Sequence, residues 1–209
     1  MHMSPPTHKT DCVQADLREV VNAILYMAST GCHWRMLPKD FPPFTTVQNY
    51  FYTWRDTGVL RAINNTLVMD ARELEGREAS PSAGVIDSQS VKTTESGGIR
   101  GYDAGKKIND RERHIVTETS GLPVGLVVRR AAVQNRDGAA PMLRSVVKRW
   151  PWLRHIFADG GYAGPKLKGA LKRIGRFALE IVKRTDKAKG FEVPPRRWVV
   201  ERTFSLLGR

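Results

Sequence analysis

The sequence predicts an α/β domain that follows a small all-α N-terminal region, and three observations support this fold class. Apolar residues recur at helical spacing through residues 11–78. After Ser80-Pro81-Ser82, short β-branched runs alternate with helical patterns. The 209-residue chain is 41% hydrophobic and 26% charged, which is typical of a protein with a packed core. We therefore place a domain boundary at residue 80, between a helical region, residues 1–79, and a mixed domain, residues 80–209.

Three helices are expected in the N-terminal region, over residues 11–31, 45–58 and 59–78. Glycines end the first two helices, and Thr45 with Gln48 forms a capping-box pattern at the start of the second. Three short helices are typical of helix-turn-helix-like modules, some of which bind DNA. The near-zero net charge of this region argues against extensive phosphate contact, and we interpret its aromatic stripe as core.

The mixed domain is expected to contain five strands and three helices. A Ser-Gly connection between the second and third strands predicts an antiparallel hairpin. The predicted strands are residues 85–91, 113–119, 122–130, 155–159 and 177–182. The predicted helices are residues 137–147, 167–171 and 196–207.

Charge is distributed unevenly along the chain. Residues 1–79 carry 8 Lys/Arg and 9 Asp/Glu, whereas residues 80–209 carry 26 Lys/Arg and 12 Asp/Glu. This excess of positive charge indicates a polyanionic partner for the mixed domain, and nucleic acid is the first candidate. An anionic membrane surface is the alternative, but the sequence has no run of roughly 18 apolar residues that would span a membrane.

The two cysteines, Cys12 and Cys32, form neither a disulfide framework nor a zinc-binding pattern, so we expect both to be reduced. The N-terminal sequence lacks the charged and apolar regions of a signal peptide. We therefore expect the protein in the cytoplasm of a prokaryote, near its DNA.

Two acidic residues interrupt or end predicted apolar strands. Asp87 lies within residues 85–91, and Asp159 ends the run that begins at His155. Burying an unpaired carboxylate is costly. Each acid is therefore expected to have a partner or to lie at the open end of its strand, where a ligand or metal can reach it. The alternative is that each side chain caps a turn.

A third acid, Glu201, lies on the last predicted helix and shares a face with Trp198 and Phe204 at about 100° per residue. Three carboxylates from separate elements form a site that suits hard divalent cations. Two such ions about 3.5–4 Å apart activate a water or a 3′-hydroxyl for attack on a phosphodiester. Taken singly, each acid could be a cap, a turn residue or a surface charge, but the basic domain favours a joint site.

Residues 93–110 form a predicted loop that is rich in glycine and carries Arg100, Lys106 and Lys107. Backbone amides and basic side chains on such a loop suit phosphate contact. A solvated, mobile loop is the alternative. Arg113 follows the loop and is expected to contact phosphates with it.

Several segments resemble DDE transposases of bacterial insertion sequences. Residues 84–92 (GVIDSQSVK) and 100–107 (RGYDAGKK) resemble the first catalytic block, residues 158–162 (ADGGY) the second, and residues 197–204 (RWVVERTF) the third. Within residues 35–43, RMLP and FPP resemble the helical region that precedes the catalytic domain in one large insertion-sequence group. The blocks occur in order and span nearly the whole chain.

The resemblance implies a ribonuclease-H-like fold, with a mixed five-stranded sheet flanked by helices. It implies that Asp87, Asp159 and Glu201 are catalytic and bind two Mg²⁺ ions, for which Mn²⁺ can substitute. The implied enzyme nicks double-stranded DNA at transposon ends and joins the freed 3′-hydroxyl to target DNA. We expect it to act as a homo-oligomer on DNA, and we expect no membrane partner.

The third block departs from the common pattern Y-x2-R-x3-E-x6-K. Arg197 occupies the arginine position and is expected to contact DNA, but Pro194 and Gly208 occupy the tyrosine and lysine positions. The sequence ends eight residues after Glu201, where the family usually continues with more helix. We therefore keep three hypotheses: a DDE transposase, a shortened and inactive remnant that binds DNA, and a nuclease with the same fold.

Overall fold

The computed structural model describes residues 15–92, 101–103, 108–130, 135–175, 178–182 and 197–207. The described helices are α1 (Leu17–Thr30), α2 (Phe44–Thr57), α3 (Val59–Leu74), α4 (Asn135–Arg149), α5 (Pro165–Lys172) and α6 (Arg197–Leu207). The described strands are β1 (Ala83–Lys92), β2 (Gly101–Asp103), β3 (Ile108–Glu118), β4 (Pro123–Arg130), β5 (His155–Ala158) and β6 (Ala178–Ile181).

The chain forms two compact units that divide between Ile63 and Asn64, inside α3. The second half of α3 belongs to the larger unit because Val68 joins the core under the sheet. The predicted boundary at residue 80 lies further along the chain, beyond the end of α3.

The three N-terminal helices form where apolar periodicity predicts them, with some different ends. Asp16 begins α1, since its carboxylate accepts a hydrogen bond from the Arg18 amide at 2.9 Å. Gly31 and Gly58 end α1 and α2 in the left-handed conformation, with φ of 64° and 83°. The predicted capping box at Thr45 is wrong, because α2 begins one residue earlier and Pro43 precedes it without a side-chain cap.

A mixed sheet forms the centre of the larger unit. β1 pairs antiparallel with β3 and parallel with β5, and β5 pairs parallel with β6. One edge of β3 pairs with β1. The other edge pairs first with β2, at residues 108–110 of β3, and then with β4, at residues 111–117. The sheet therefore has five strand positions, with β2 as a short addition. The mixed five-stranded sheet and its flanking helices confirm the predicted fold class, including the β3–β4 hairpin.

The predicted loop spans residues 93–110, but two of its segments, residues 101–103 and 108–110, are strand. Residues 101–103 form β2, and β3 begins at Ile108, five residues before the predicted start. The sequence prediction failed here because the polar run from Asn109 to Arg113 lacks the apolar character expected of a strand. Pairing with β1 and β2 on both edges supplies the backbone hydrogen bonds that hold this polar segment extended.

Two apolar layers cover the two faces of the sheet. On one face, Ile86, Val116 and Ile156 pack against α4 and α5. On the other face, Val85, Ile115 and Phe157 pack against Val200 and Phe204 of α6. Within the described part of the chain, no helix is both long and apolar enough to cross a membrane.

Candidate active site

Asp87, in the middle of the central strand β1, and Asp159, just after the end of β5, lie side by side. In the parallel pairing of β1 with β5, Ile86 is opposite Ala158, so the two aspartates are the next residues on neighbouring strands. Neighbouring strands lie about 4.8 Å apart. Both aspartates line one recess, together with Val85, Phe157 and Val182. The structure therefore brings two of the three predicted acids together.

Local hydrogen bonds orient both carboxylates. The Asp87 Oδ1 accepts a hydrogen bond from the Ser88 amide at 2.8 Å, and the Asp159 Oδ1 accepts one from the Gly161 amide at 2.8 Å. Asp159 thereby caps the short 3-10 helix Gly160–Tyr162, so the capping role considered for it is present in the structure. Asp87 is only 7% exposed, whereas Asp159 is half-buried. The recess thus places one nearly buried carboxylate beside a more accessible one.

Glu201 lies on α6, which packs on the sheet face that carries Asp87. Side chains alternate along a strand, so Asp87 shares its face with Val85, and Val200 of α6 packs on that same face. Glu201 itself is exposed. Among the residues that the structure describes, no three His, Cys, Asp or Glu side chains form a group spaced for a metal ion. The third predicted acid therefore lies on the predicted last helix, outside the pair formed by the two aspartates.

Of the five predicted DNA-binding residues, the structure describes the side chain of Arg113 alone. Arg113 is partly exposed, and its guanidinium donates a hydrogen bond to the Leu207 carbonyl at 3.3 Å, where it satisfies the end of α6. Arg197 is the first residue of α6, but its side chain lies outside the described part. Arg100, Lys106 and Lys107 lie outside the described residues altogether.

Two further arginines lie on the same face as Asp87 and were not singled out from the sequence. Arg111 alternates with Arg113 and Ile115 along β3, and Arg130 of β4 is directly opposite Arg111. Both arginines therefore add positive charge to the sheet face that carries Asp87. The signal that could have found these arginines is the period-2 alternation of residues 111–115, which becomes visible once β3 begins at Ile108.

Tyr162 lies beneath the two aspartates and is fully buried. Burial raises the pKa of its hydroxyl above the ordinary tyrosine value, and the nearby carboxylates Asp87, Asp159 and Glu112 raise it further, while Ser88 lowers it in part. The hydroxyl therefore stays protonated and adds no further negative charge to the site. The sequence analysis included Tyr162 in the second block but gave it no role.

Comparison with family models gives two matches. Residues 78–209 match the model described as transposase DDE domain. Residues 1–64 match DUF4096, described as a transposase of the IS4/5 family. Comparison with curated protein sequences gives no match.

Two solved structures resemble the chain weakly. The Mos1 transposase paired-end complex with left transposon end has 8% sequence identity and a TM-score of 0.32, over 87% of this chain and 60% of that chain. The Mos1 strand transfer complex has 9% identity and a TM-score of 0.30, over 88% of this chain and 60% of that chain. The chain thus spans about 60% of the length of these structures.

Proposed function

Because the chain belongs to the transposase DDE domain family, whose model matches residues 78–209, we propose that it performs the chemical steps of DNA transposition. These steps are nicking of double-stranded DNA at transposon ends and joining of the freed 3′-hydroxyl to target DNA. The observation that carries this proposal is the pair of carboxylates, Asp87 and Asp159, which line one recess where β5 ends beside the middle of the parallel strand β1.

The donor set fits a divalent cation. Carboxylate oxygens are the ligands that Mg²⁺ prefers, and two carboxylates at neighbouring positions repel each other unless a cation or a proton neutralises them. Asp87 and Asp159 would hold the cation, and Glu201 would complete the site from α6. A bound cation supplies Lewis acidity and a nucleophile at neutral pH. Two Mg²⁺ ions, with Mn²⁺ as a substitute, remain our proposal for the number and kind of ions.

Hydrogen bonds within the chain orient both carboxylates in the absence of DNA. The amides of Ser88 and Gly161 each fix one carboxylate oxygen, which reduces the reorganisation needed when ligands bind. Arg111, Arg113 and Arg130 lie on the face that carries Asp87 and would contact the phosphates that flank the scissile bond.

Double-stranded DNA is the proposed partner, in line with the excess of 26 Lys/Arg over 12 Asp/Glu in residues 80–209. We assign transposon-end binding to the N-terminal helices, which the IS4/5 family model matches. Action as a homo-oligomer remains a prediction from the family resemblance, and a cytoplasmic location remains a prediction from the N-terminal sequence.

Nicking of a supercoiled plasmid tests the proposed chemistry. The parent should convert the plasmid to its nicked form with MgCl₂ and not with EDTA. Asp159→Asn should lose at least about a hundredfold in rate, because a metal-site ligand acts on the reacting groups themselves. Asp70→Asn, which changes an exposed aspartate on α3, should nick like the parent. Parent-level nicking by Asp159→Asn would refute the assignment.

The same assay, extended to donor DNA that carries transposon ends, separates the three hypotheses. Nicked and joined products together indicate a transposase. Nicking without joining indicates a nuclease. Binding to DNA without nicking, by folded protein in Mg²⁺ and in Mn²⁺, indicates an inactive remnant.

A further inference from the structure

The turn between β3 and β4, residues 118–122, is organised by one buried carboxylate. Glu118 is fully buried, and its Oε1 accepts hydrogen bonds from the amides of Ser120 and Leu122, at 2.6 and 3.2 Å. The Glu118 carbonyl accepts a third, from the Gly121 amide at 3.0 Å. These bonds use the amide groups of the turn, so the carbonyls of Ser120 and Gly121 are left to be satisfied by another element.

That element is α6. The Arg202 guanidinium donates to the Ser120 carbonyl at 2.5 Å, and the Thr203 hydroxyl donates to the Gly121 carbonyl at 2.8 Å. Thr203 is only 6% exposed. A buried carbonyl without a partner is destabilising, so the contact between Thr203 and Gly121 joins α6 to the hairpin. The same hydroxyl lies 3.1 Å from the Val199 carbonyl of its own helix, and the Gly121 carbonyl is the closer acceptor.

Gly121 allows this close approach because it has no side chain. Its φ of 97° is in the left-handed region that favours glycine. A Cβ at this position would lie 2.8 Å from Nη2 of Arg202, 3.2 Å from Cγ1 of Val199 and 3.3 Å from Oγ1 of Thr203. A side chain here would therefore displace the Arg202 guanidinium and crowd Val199 and Thr203, the two residues of α6 closest to the turn.

The turn is also held from its far side. The Oε2 of Glu118 accepts hydrogen bonds from Arg72, 2.7 Å away, and from Arg77, 3.1 Å away. Arg77 additionally contacts the side chains of Thr119 and Ser120. The turn that contacts α6 is therefore held by Arg72 and Arg77 on its other side.

Glu201 projects from the opposite flank of α6. At about 100° per residue, Glu201 and Thr203 leave the helix about 160° apart, so the flank held by the turn and the flank that carries Glu201 are different. The turn lies beside Gly84 near the start of β1, and Asp87 follows three residues along the strand. The contact between the turn and α6 thus sets the distance from Glu201 to the two aspartates.

We propose that residues 118–122 position the catalytic glutamate, and that Glu118, Gly121 and Thr203 are positioning residues for Glu201. The proposal rests on the proposed function, in which Glu201 completes the cation site. It assigns a role to a hairpin connection that the sequence alone marks only as a turn. A catalytic group must be held within about half an ångström of its productive place, so a loosened α6 should impair the reaction without unfolding the sheet.

A matched pair of substitutions at Thr203 tests this role. Thr203→Val removes the hydroxyl and keeps the shape, whereas Thr203→Ser keeps the hydroxyl. Thr203→Val should nick about tenfold to a hundredfold more slowly and should need more Mg²⁺ for half-maximal rate, because a misplaced ligand weakens the site. Thr203→Ser should recover most of the rate. Ser205→Ala, which changes an exposed residue of the same helix, should match the parent.

A second pair of substitutions distinguishes the effect of crowding α6 from the effect of backbone strain at a positive φ. Gly121→Ala and Gly76→Ala both place alanine at a positive φ, but a Cβ at Gly76 meets nothing within 4 Å. Only Gly121→Ala should slow nicking and raise the Mg²⁺ requirement. Amide hydrogen exchange should rise in residues 199–207 of Gly121→Ala and Thr203→Val, while exchange in β1 stays at the parent level.

Glu201→Gln distinguishes failure of this inference from failure of the proposed function. If Glu201→Gln is inactive while Thr203→Val and Gly121→Ala keep the parent's rate and Mg²⁺ requirement, the turn has no positioning role. If Glu201→Gln nicks like the parent, the catalytic role of Glu201 fails and the positioning role fails with it. Hydrogen exchange then still shows whether the turn holds α6, since that measurement needs no activity.

Discussion

Tyr162 is fully buried, and burial together with the charges of Asp87 and Asp159 raises the pKa of its hydroxyl. Its main chain continues the turn that Asp159 caps, and its ring lies in the core on the other side of the sheet from α6. Burial and the nearby carboxylates both favour the protonated hydroxyl, so the folded protein holds this proton more strongly than the unfolded chain does.

This raised pKa gives a prediction for stability at high pH. Above the ordinary tyrosine pKa of about 10, the unfolded chain loses the proton while the folded protein keeps it. The free energy of unfolding should therefore fall as pH rises above about 10, by about 1.4 kcal/mol per pH unit from this one group. Tyr162→Phe should remove that component. Urea unfolding of both proteins near pH 9 and pH 11 measures the difference, and Tyr52→Phe controls for loss of a hydroxyl elsewhere.

An equal loss of stability with pH in the parent and in Tyr162→Phe would show that Tyr162 ionises normally.

The burial of Glu112 and His114 could not be predicted from the sequence. Glu112 and His114 are 3% and 0% exposed, with Nε2 of His114 3.3 Å from Oε2 of Glu112. A Cβ on Gly138 would lie 2.7 Å from that ring nitrogen, so the imidazole fills space that α4 leaves open. Glu112 lies in a polar run just before the predicted strand 113–119, and such a run gives no sign of burial. Only the packing of α4 on β3 reveals that Glu112 and His114 are buried.

At the scale of elements, a buried ion pair ties α3 to the β3–β4 turn. Arg72 and Glu118 have side-chain exposures of 5% and 0%, and their closest atoms are 2.7 Å apart. The Arg72 Nε also donates to the Glu78 carbonyl at 2.8 Å. Desolvation offsets much of the Coulomb attraction in such a pair, but removal of one partner leaves a buried charge without compensation.

Arg72→Ala should therefore lower the free energy of unfolding by about 3–5 kcal/mol, measured by urea denaturation. Arg55→Ala, which breaks the exposed pair with Asp56, is the matched control and should change stability little. A similar small loss for Arg72→Ala would mean that Arg77 compensates Glu118 alone.

Elements with a strong local signal were predicted, and elements that depend on pairing were missed. Gly31 and Gly58 end helices as expected because a left-handed φ is a local property of glycine. The hairpin at Gly121 was predicted for a similar reason. β2 was missed because a three-residue strand has little periodicity of its own and exists through its pairing with residues 108–110.

At the scale of the whole molecule, the excess of positive charge in residues 80–209 should dominate DNA affinity. Lys106 and Lys107 lie outside the described residues, so their role rests on the sequence. Replacing both by Ala should weaken binding similarly on all DNA sequences. It should also flatten the plot of log affinity against log salt by about 0.9 for each phosphate that is no longer neutralised. Fluorescence anisotropy across a salt series measures this slope. An unchanged slope would assign both lysines to a solvated loop.

The meeting of Asp87 and Asp159 could be anticipated, because the resemblance assigns both acids to one cation site and each acid ends or interrupts an apolar run. The relation of Glu201 to this pair could not be anticipated in the same way. It depends on how α6 packs across the sheet, through contacts between residues about 80 positions apart in the chain, such as Thr203 with Gly121.

The central claim is that Asp87 and Asp159 together bind a divalent cation, and Mn²⁺ binding tests it most directly. Free Mn²⁺, followed by its electron paramagnetic resonance signal during titration, should decrease with the parent protein and with the control Asp70→Asn. Asp87→Asn should bind at least about tenfold more weakly, since it removes a ligand and a charge. Without metal it should melt no lower than the parent, because it also relieves carboxylate repulsion. Mn²⁺ binding by folded Asp87→Asn with the parent's affinity would contradict the account.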